Sequence, residues 1–159
     1  MRSAGLVLAA ALSLVPGVGG AQSAGQEVEA LVGRLSEAET VQTAELLGMC
    51  GGVYSAFAVF SETRMPERSR EYKAMGNGAL TAGAYLLYRE HRHRTREVRP
   101  VSDFMPQVRG RAETAAAETL AAFSAEDFDT PQEKLSACFK MVELQDFLVA
   151  AMQDEFARR

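Results

Sequence analysis

The chain has no tryptophan and no isoleucine, and only two cysteines, two histidines and five prolines among 159 residues. Each scarcity excludes something. Without isoleucine, and with modest valine, the chain is poor in strand formers, whereas alanine, its commonest residue, favours helix. Two histidines and two cysteines are too few for a metal cluster or a disulfide-dense scaffold. Positive charge is also short: the formal charge is -4 and the pI is near 5.3. A general nucleic-acid binder needs a positive surface to displace counterions from phosphates, so nucleic acid is excluded as a partner. The H-E-x-x-H, G-x-S-x-G and G-x-x-x-x-G-K patterns are all missing, so the sequence names no catalytic residue, no metal site and no cofactor.

What is present begins with an export signal. Met1-Arg2 is a short positive start, Ala4 to Val15 is almost wholly Ala, Leu and Val, Pro16-Gly17 breaks the run, and Gly19-Gly20-Ala21 supplies small residues. That is the layout of a secretory signal peptide, with cleavage expected after Ala21. Its apolar middle falls short of the ~20 residues that span a bilayer. The expected organisation is therefore a signal peptide over 1–21 and one helical domain over 22–159. Cleavage removes one of the 17 basic residues and leaves all 21 acidic ones, so the exported domain carries -5. The expected destination is the periplasm or the exterior, where conditions are oxidising and Cys50 and Cys138 pair as a disulfide.

Prolines at 66, 100, 106 and 131 fall between periodic stretches, as they must if helix interiors are to survive. The spacing predicts an all-α, up-down four-helix bundle with helices over roughly 23–64, 67–97, 101–123 and 131–157. In the first, Val28, Leu31, Val32 and Leu35 mark an apolar stripe that continues through Leu46, Cys50, Val53, Phe57 and Phe60. Gly33, Gly48, Gly51 and Gly52 weaken this span, and a bend is expected near 36–42. The second carries Tyr72, Met75, Ala79, Ala82 and Leu86. In the third, Ser102 is expected to cap a first turn, with Pro106 at a tolerated position. Thr130 and Glu133 are spaced as a capping box opening the fourth. Leu135, Cys138, Val142, Gln145, Val149, Met152 and Phe156 then form its core stripe.

Two rows of small residues, Gly48-Gly52-Ala56 and Met75-Ala79-Gly83, are spaced to let the first two helices approach closely. The uncharged stretches 46–60 and 74–88 raise a membrane-hairpin alternative, but at about 15 residues each is too short to span. Helical rise places Cys50 and Cys138 at similar depths on the first and last helices, so one cross-link is geometrically reasonable.

The most conspicuous polar feature is the run Arg89 to Arg99. Arg89, Arg92, Arg94, Arg96, Arg99, His91 and His93 fall within eleven residues of an acidic chain. They are a candidate patch for an anion or an acidic partner, because arginine pairs bidentately with carboxylate and phosphate. The competing reading is helix-end electrostatics, cations complementing a helix C-terminus. A two-residue spacing separates His91 and His93 by about 200° on a helix, which argues against a shared metal ion. Tyr54, Phe57, Phe60, Tyr72, Tyr85 and Tyr88 read as core, with Gln145 and Glu143 as candidate partners for the hydroxyls of Tyr54 and Tyr85.

Export, small size and the lack of catalytic motifs point to a cell-envelope protein that acts by binding, most naturally to another protein, as an inhibitor, an immunity-type protein or a chaperone-like factor. Two alternatives compete. One is a membrane-associated protein with the Arg89–Arg99 run on anionic lipid. The other is a small enzyme on an anionic envelope substrate, using His91 or His93.

Overall fold

The computed structural model describes residues 24–158; the expected signal peptide lies outside them. Among the described residues the chain is entirely helical, with six α-helices and no strand. They are α1 (Ala24–Val32), α2 (Glu37–Ser61), α3 (Pro66–Thr95), α4 (Met105–Ser124), α5 (Asp129–Phe139) and α6 (Val142–Ala157), with a 3-10 turn (Val101–Phe104) before α4.

The predicted first helix is two. Its break falls at residues 33–36, just ahead of the expected bend, and the cause is local. Gly33 ends α1, and Ser36 and Glu39 open α2 with a reciprocal capping box, Ser36 Oγ accepting from the Glu39 amide and Glu39 Oε2 accepting from the Ser36 amide at 2.8 Å. These bonds hold the Glu39 carboxyl below its ordinary pKa. The 130–133 box does not form. Instead α5 begins earlier, and Asp127 Oδ1 accepts from the Thr130 amide at 3.1 Å. A carboxylate is as good a cap as a hydroxyl, and Pro131 is tolerated in a first turn whose amides lack helical partners. Ser102 makes no cap bond, whereas Pro106 sits in the first turn of α4 as expected.

The predicted last helix also divides, at Lys140-Met141, without glycine or proline. Here packing decides. The Cys138 end of α5 lies against α2, whereas α6 lies against α3 and α1, and one straight helix could not face both. The real inward stripe of this region is Leu135, Cys138, Met141, Gln145, Leu148 and Ala151, a slip of one residue from the expected one at Met141, Leu148 and Ala151, and Phe156 is exposed.

Chain direction alternates through α2, α3, α4 and the α5–α6 pair. Helix α3 runs antiparallel to α2, with Ser69 Oγ donating to the Ala58 carbonyl at 2.8 Å and Lys73 Nζ to Glu62 at 2.8 Å. Helix α4 runs parallel to α2 and presses directly on it. The Gly48-Gly52 row makes that approach possible: a Cβ at Gly48 would lie 2.6 Å from the Val108 carbonyl oxygen, and one at Gly52 would enter the backbone of Ala112. These glycines thus seat α4, not α3. The α2–α3 contact uses Gly51 against Leu80 and Gly76. Val28, Val32, Leu47, Val53, Tyr54, Tyr85, Leu86, Val108, Leu135 and Leu148 fill the core, each large aliphatic stabilising by about 1.5–3 kcal/mol relative to exposure. Cys50 and Cys138 lie in this core at disulfide-bonding distance, their Cα atoms 5.3 Å apart, within the range such a bond requires.

Candidate functional site

The arginine-rich run occupies the last two turns of α3 and the segment after it, and it divides into residues turned inward and residues at the surface. Arg89 is turned inward, its side chain only 8% exposed. An isolated buried guanidinium would be prohibitively costly, and carboxylates from two distant helices meet it. Nη2 donates to Glu29 on α1 at 2.5 Å and to the Gly25 carbonyl at 3.0 Å. Nη1 donates to Glu155 on α6 at 3.0 Å and to the Tyr85 hydroxyl at 3.2 Å. Glu155 also accepts from the hydroxyls of Tyr85 (2.9 Å) and Tyr88 (3.0 Å) and from Arg92 (2.8 Å). Each of its oxygens therefore has at least two donors.

The electrostatics follow from this arrangement. Burial disfavours the charged Arg89, but its hydrogen bond to Glu29, with Tyr85 and Glu155 beside it, more than restores the guanidinium and raises its pKa. Burial likewise works against Glu29, yet hydrogen bonds from His93 and Arg89 hold its carboxyl below the usual range. Because that carboxylate stays ionised, His93 Nδ1, 2.7 Å away, is the donor. Burial pushes the Tyr85 hydroxyl up to about 12.

Outside this cluster, Arg94, Arg99 and His91 each face a carboxylate near them in sequence, and Arg96 faces none among the described residues. Arg94 pairs with Glu90 and reaches Glu37 at 4.0 Å. Arg99 pairs with Asp103 at 3.0 Å and lies over the Phe104 ring. His91 is 3.7 Å from Glu97 and packs against Phe104. Arg96 ends α3 in the left-handed conformation, φ 64°, its amide bonded to the Arg92 carbonyl. The structure thus brings Arg89, Arg92 and His93 into one cluster and leaves His91, Arg94 and Arg99 outside it. Nothing in the sequence signalled the decisive partners Glu29 and Glu155, because they lie more than 59 residues away in the chain on either side. Between α1 and the end of α3 a cleft of about 310 Å³ opens, lined by Glu29, Arg89, Arg92, Arg96 and Val98.

A second surface forms at the opposite end of α3. Phe60 and Phe128 are about half exposed, at 49% and 52%, so Phe60 is not the core residue its periodicity suggests. Phe60 stacks on Phe123 at 4.3 Å between ring centroids, Phe123 meets Phe57 at 5.1 Å, and Phe128 lies 6.1 Å from both Phe60 and Phe123. Tyr72 and Tyr54 extend this chain of rings to Phe139, also exposed. Val59 and Met65 add exposed apolar surface on the α2–α3 turn. Around the rings, Arg68, Arg70 and Lys73 are paired with Glu71, Glu67 and Glu62. Glu126, Asp127 and Asp129, flanking Phe128, have no ion pair among the described residues, and neither have Arg64 and Lys140, so the rim is acidic beside Phe128. Sequence reading missed Phe123, Phe128 and Phe139: the parallel packing of α4 on α2 brings Phe123 and, just beyond that helix, Phe128 to Phe60, and the packing of α5 on α2 brings Phe139 to Tyr54. Tyr54, at the buried side of this chain, has a hydroxyl with no hydrogen-bond partner, and Tyr85 bonds to Glu155 and Arg89; neither uses Gln145 or Glu143.

Among the described residues no three His, Cys, Asp or Glu side chains come together as a metal group. Helix α2 is long and apolar enough to cross a membrane by length and composition, but 56% of its apolar window is buried inside the fold, chiefly against α3 and α4. Compared with family models, with curated proteins and with solved structures, the chain matches none.

Proposed function

We propose that this protein is exported to the cell envelope, with residues 1–21 as its cleaved signal, and acts there by binding another protein through the aromatic face. In this reading the α5–α6 pair serves as the fourth arm of an up-down bundle, stapled to α2 by a Cys50–Cys138 disulfide. The observation that carries it is the continuous set of rings in which half-exposed Phe60 and Phe128 stand over the partly buried Phe57 and Phe123. Soluble proteins seldom leave stacked aromatics at the surface, and aromatic residues are enriched at interfaces. The acidic rim of Glu126, Asp127 and Asp129 selects the partner: a protein presenting an apolar anchor flanked by lysine or arginine. The burial of most of the α2 apolar window supports a protein partner over a membrane. The engagement of His93 and the inner arginines by carboxylates supports binding over catalysis.

The test compares the tagged wild type with a Phe60→Asp, Phe128→Asp variant in pull-downs from envelope extract, with thermal unfolding of both as a folding control. A stoichiometric partner held by the wild type and released by the folded variant is expected, and its contact segment should be basic. The absence of such a partner, or its equal capture by the variant, would overturn the proposal.

A further inference from the structure

The cleft beside α1 differs in kind from the aromatic face. Its wall holds three guanidinium-bearing residues, Arg89, Arg92 and Arg96, and one carboxylate, Glu29, with Val98 as an apolar lip. Glu29 is already held by Arg89 and His93, so it presents little uncompensated negative charge. Glu155 answers Arg89 and Arg92 from the buried side. Arg96 alone among the five arginines of the 89–99 run has no carboxylate at ion-pair distance among the described residues. The local balance is therefore positive in a chain whose net charge is negative.

The backbone points the same way. Arg96 adopts φ 64° at the end of α3, a position where glycine is the usual residue and where a Cβ costs on the order of 1 kcal/mol. A strained non-glycine residue that lines a cleft is a candidate for use there. The inner wall is rigid: Arg89 makes four hydrogen bonds, and its Nε is a buried donor left without a partner. The negative end of the α3 dipole weighs against an anion, but that effect is fractional in charge, and the guanidiniums outweigh it.

We infer that this cleft binds a phosphoryl group, with Arg96 and Arg92 as its forked donors and Arg89 as the fixed positive floor. A dianionic phosphate matches several guanidiniums better than a single carboxylate does, since planar N–H pairs align with two of its oxygens at once. The group can belong to a free phosphate compound or to a lipid whose headgroup is a phosphomonoester, and the dianion recognised is the same. This site is independent of the proposed protein-binding face: Tyr72 and Arg96 are separated by about 36 Å along α3.

The test is an NMR titration of the folded protein with inorganic phosphate, in chloride buffer, alongside an Arg96→Ala variant. The expected result is saturable shifts of the Arg92, Arg96 and Val98 amides that sulfate competes away. Affinity should weaken by about tenfold or more in Arg96→Ala, while its unfolding temperature without phosphate stays at the wild-type value. Arg96→Lys should recover part of the affinity, and Phe60→Asp, Phe128→Asp should bind phosphate normally. Flotation with vesicles of phosphatidylcholine alone, or containing phosphatidic acid, separates the sources. Arg96-dependent binding to the anionic vesicles assigns a headgroup, and phosphate binding without vesicle binding assigns a free compound. Shifts that do not saturate, or an equal response in Arg96→Ala, would overturn the site.

Discussion

Glu29 is the residue whose charge matters most to how α1 is held. It receives Arg89 and His93, and Arg89 in turn ties it to Glu155 on α6. Its carboxyl titrates below the ordinary value of 4.5, so the unfolded chain takes up its proton at higher pH than the folded one. The stability this contributes is present above about 4.5 and is lost as pH falls through the lowered folded value. Glu39, Glu62, Glu118 and Asp127 are lowered as well, and they give the wild type a general acid sensitivity. Glu29→Gln is therefore expected to unfold at lower temperature than wild type near neutral pH, with the gap closing on acidification. Thermal unfolding across a pH series measures this, and a gap that stays constant with pH would show that Glu29 acts through packing alone. Arg89 is the more severe site: its removal would take from Glu29 and Glu155 the one cation they share, leaving His93 alone on Glu29 and Arg92 alone as the cation on Glu155.

Helix α2 shows how one element serves two neighbours. Its Gly51 face meets α3 and its Gly48-Gly52 face meets α4, which explains why a helix so rich in glycine persists despite the propensity cost of roughly 1 kcal/mol per glycine. The close approach recovers more than that in packing. Gly52→Ala is accordingly expected to destabilise by several kcal/mol, because the added carbon meets the Ala112 backbone, which cannot rotate away. Gly110 on α4 is the control. A Cβ there meets nothing within 4 Å, so Gly110→Ala should stabilise by about 0.5–1 kcal/mol through helix propensity. Chemical denaturation of the two variants distinguishes them, and similar effects at both positions would refute the role given to Gly52.

In the molecule as a whole, Cys50 and Cys138 lie 88 residues apart in sequence and stand at disulfide-bonding distance between α2 and α5. Closing so long a loop stabilises by about 4 kcal/mol in the chain-entropy account. Reduction is expected to lower the denaturation midpoint without changing helical content under native conditions, since the helices around the pair have their own packed cores. Circular dichroism with and without reductant checks both halves, and an unchanged midpoint would mean that the cross-link adds nothing to the packing around it. The two surfaces sit at opposite ends of α3, aromatic and acid-rimmed at one end, arginine-lined at the other. That separation lets a protein partner and a phosphoryl ligand be tested one without the other.

Helical class, a break in the first predicted helix, the proline-marked boundaries near Pro66 and Pro100, and the proximity of Cys50 to Cys138 could all be read along the chain. They depend on local propensity, on proline's missing donor and on helical rise, which are properties of neighbouring residues. The division at 140–141, the seating of α4 on the glycines of α2, the answer of Glu29 and Glu155 to Arg89, and the gathering of Phe60, Phe123 and Phe128 could not. Each depends on residues far apart in sequence. Which helix faces settle against each other is chosen by the fit of whole surfaces, and periodicity within one segment carries no record of that choice. Thus the arginine run was visible as composition, while its partition into a buried clamp and a cleft with Arg96 at its edge belongs to the packing of α1 and α6 on α3.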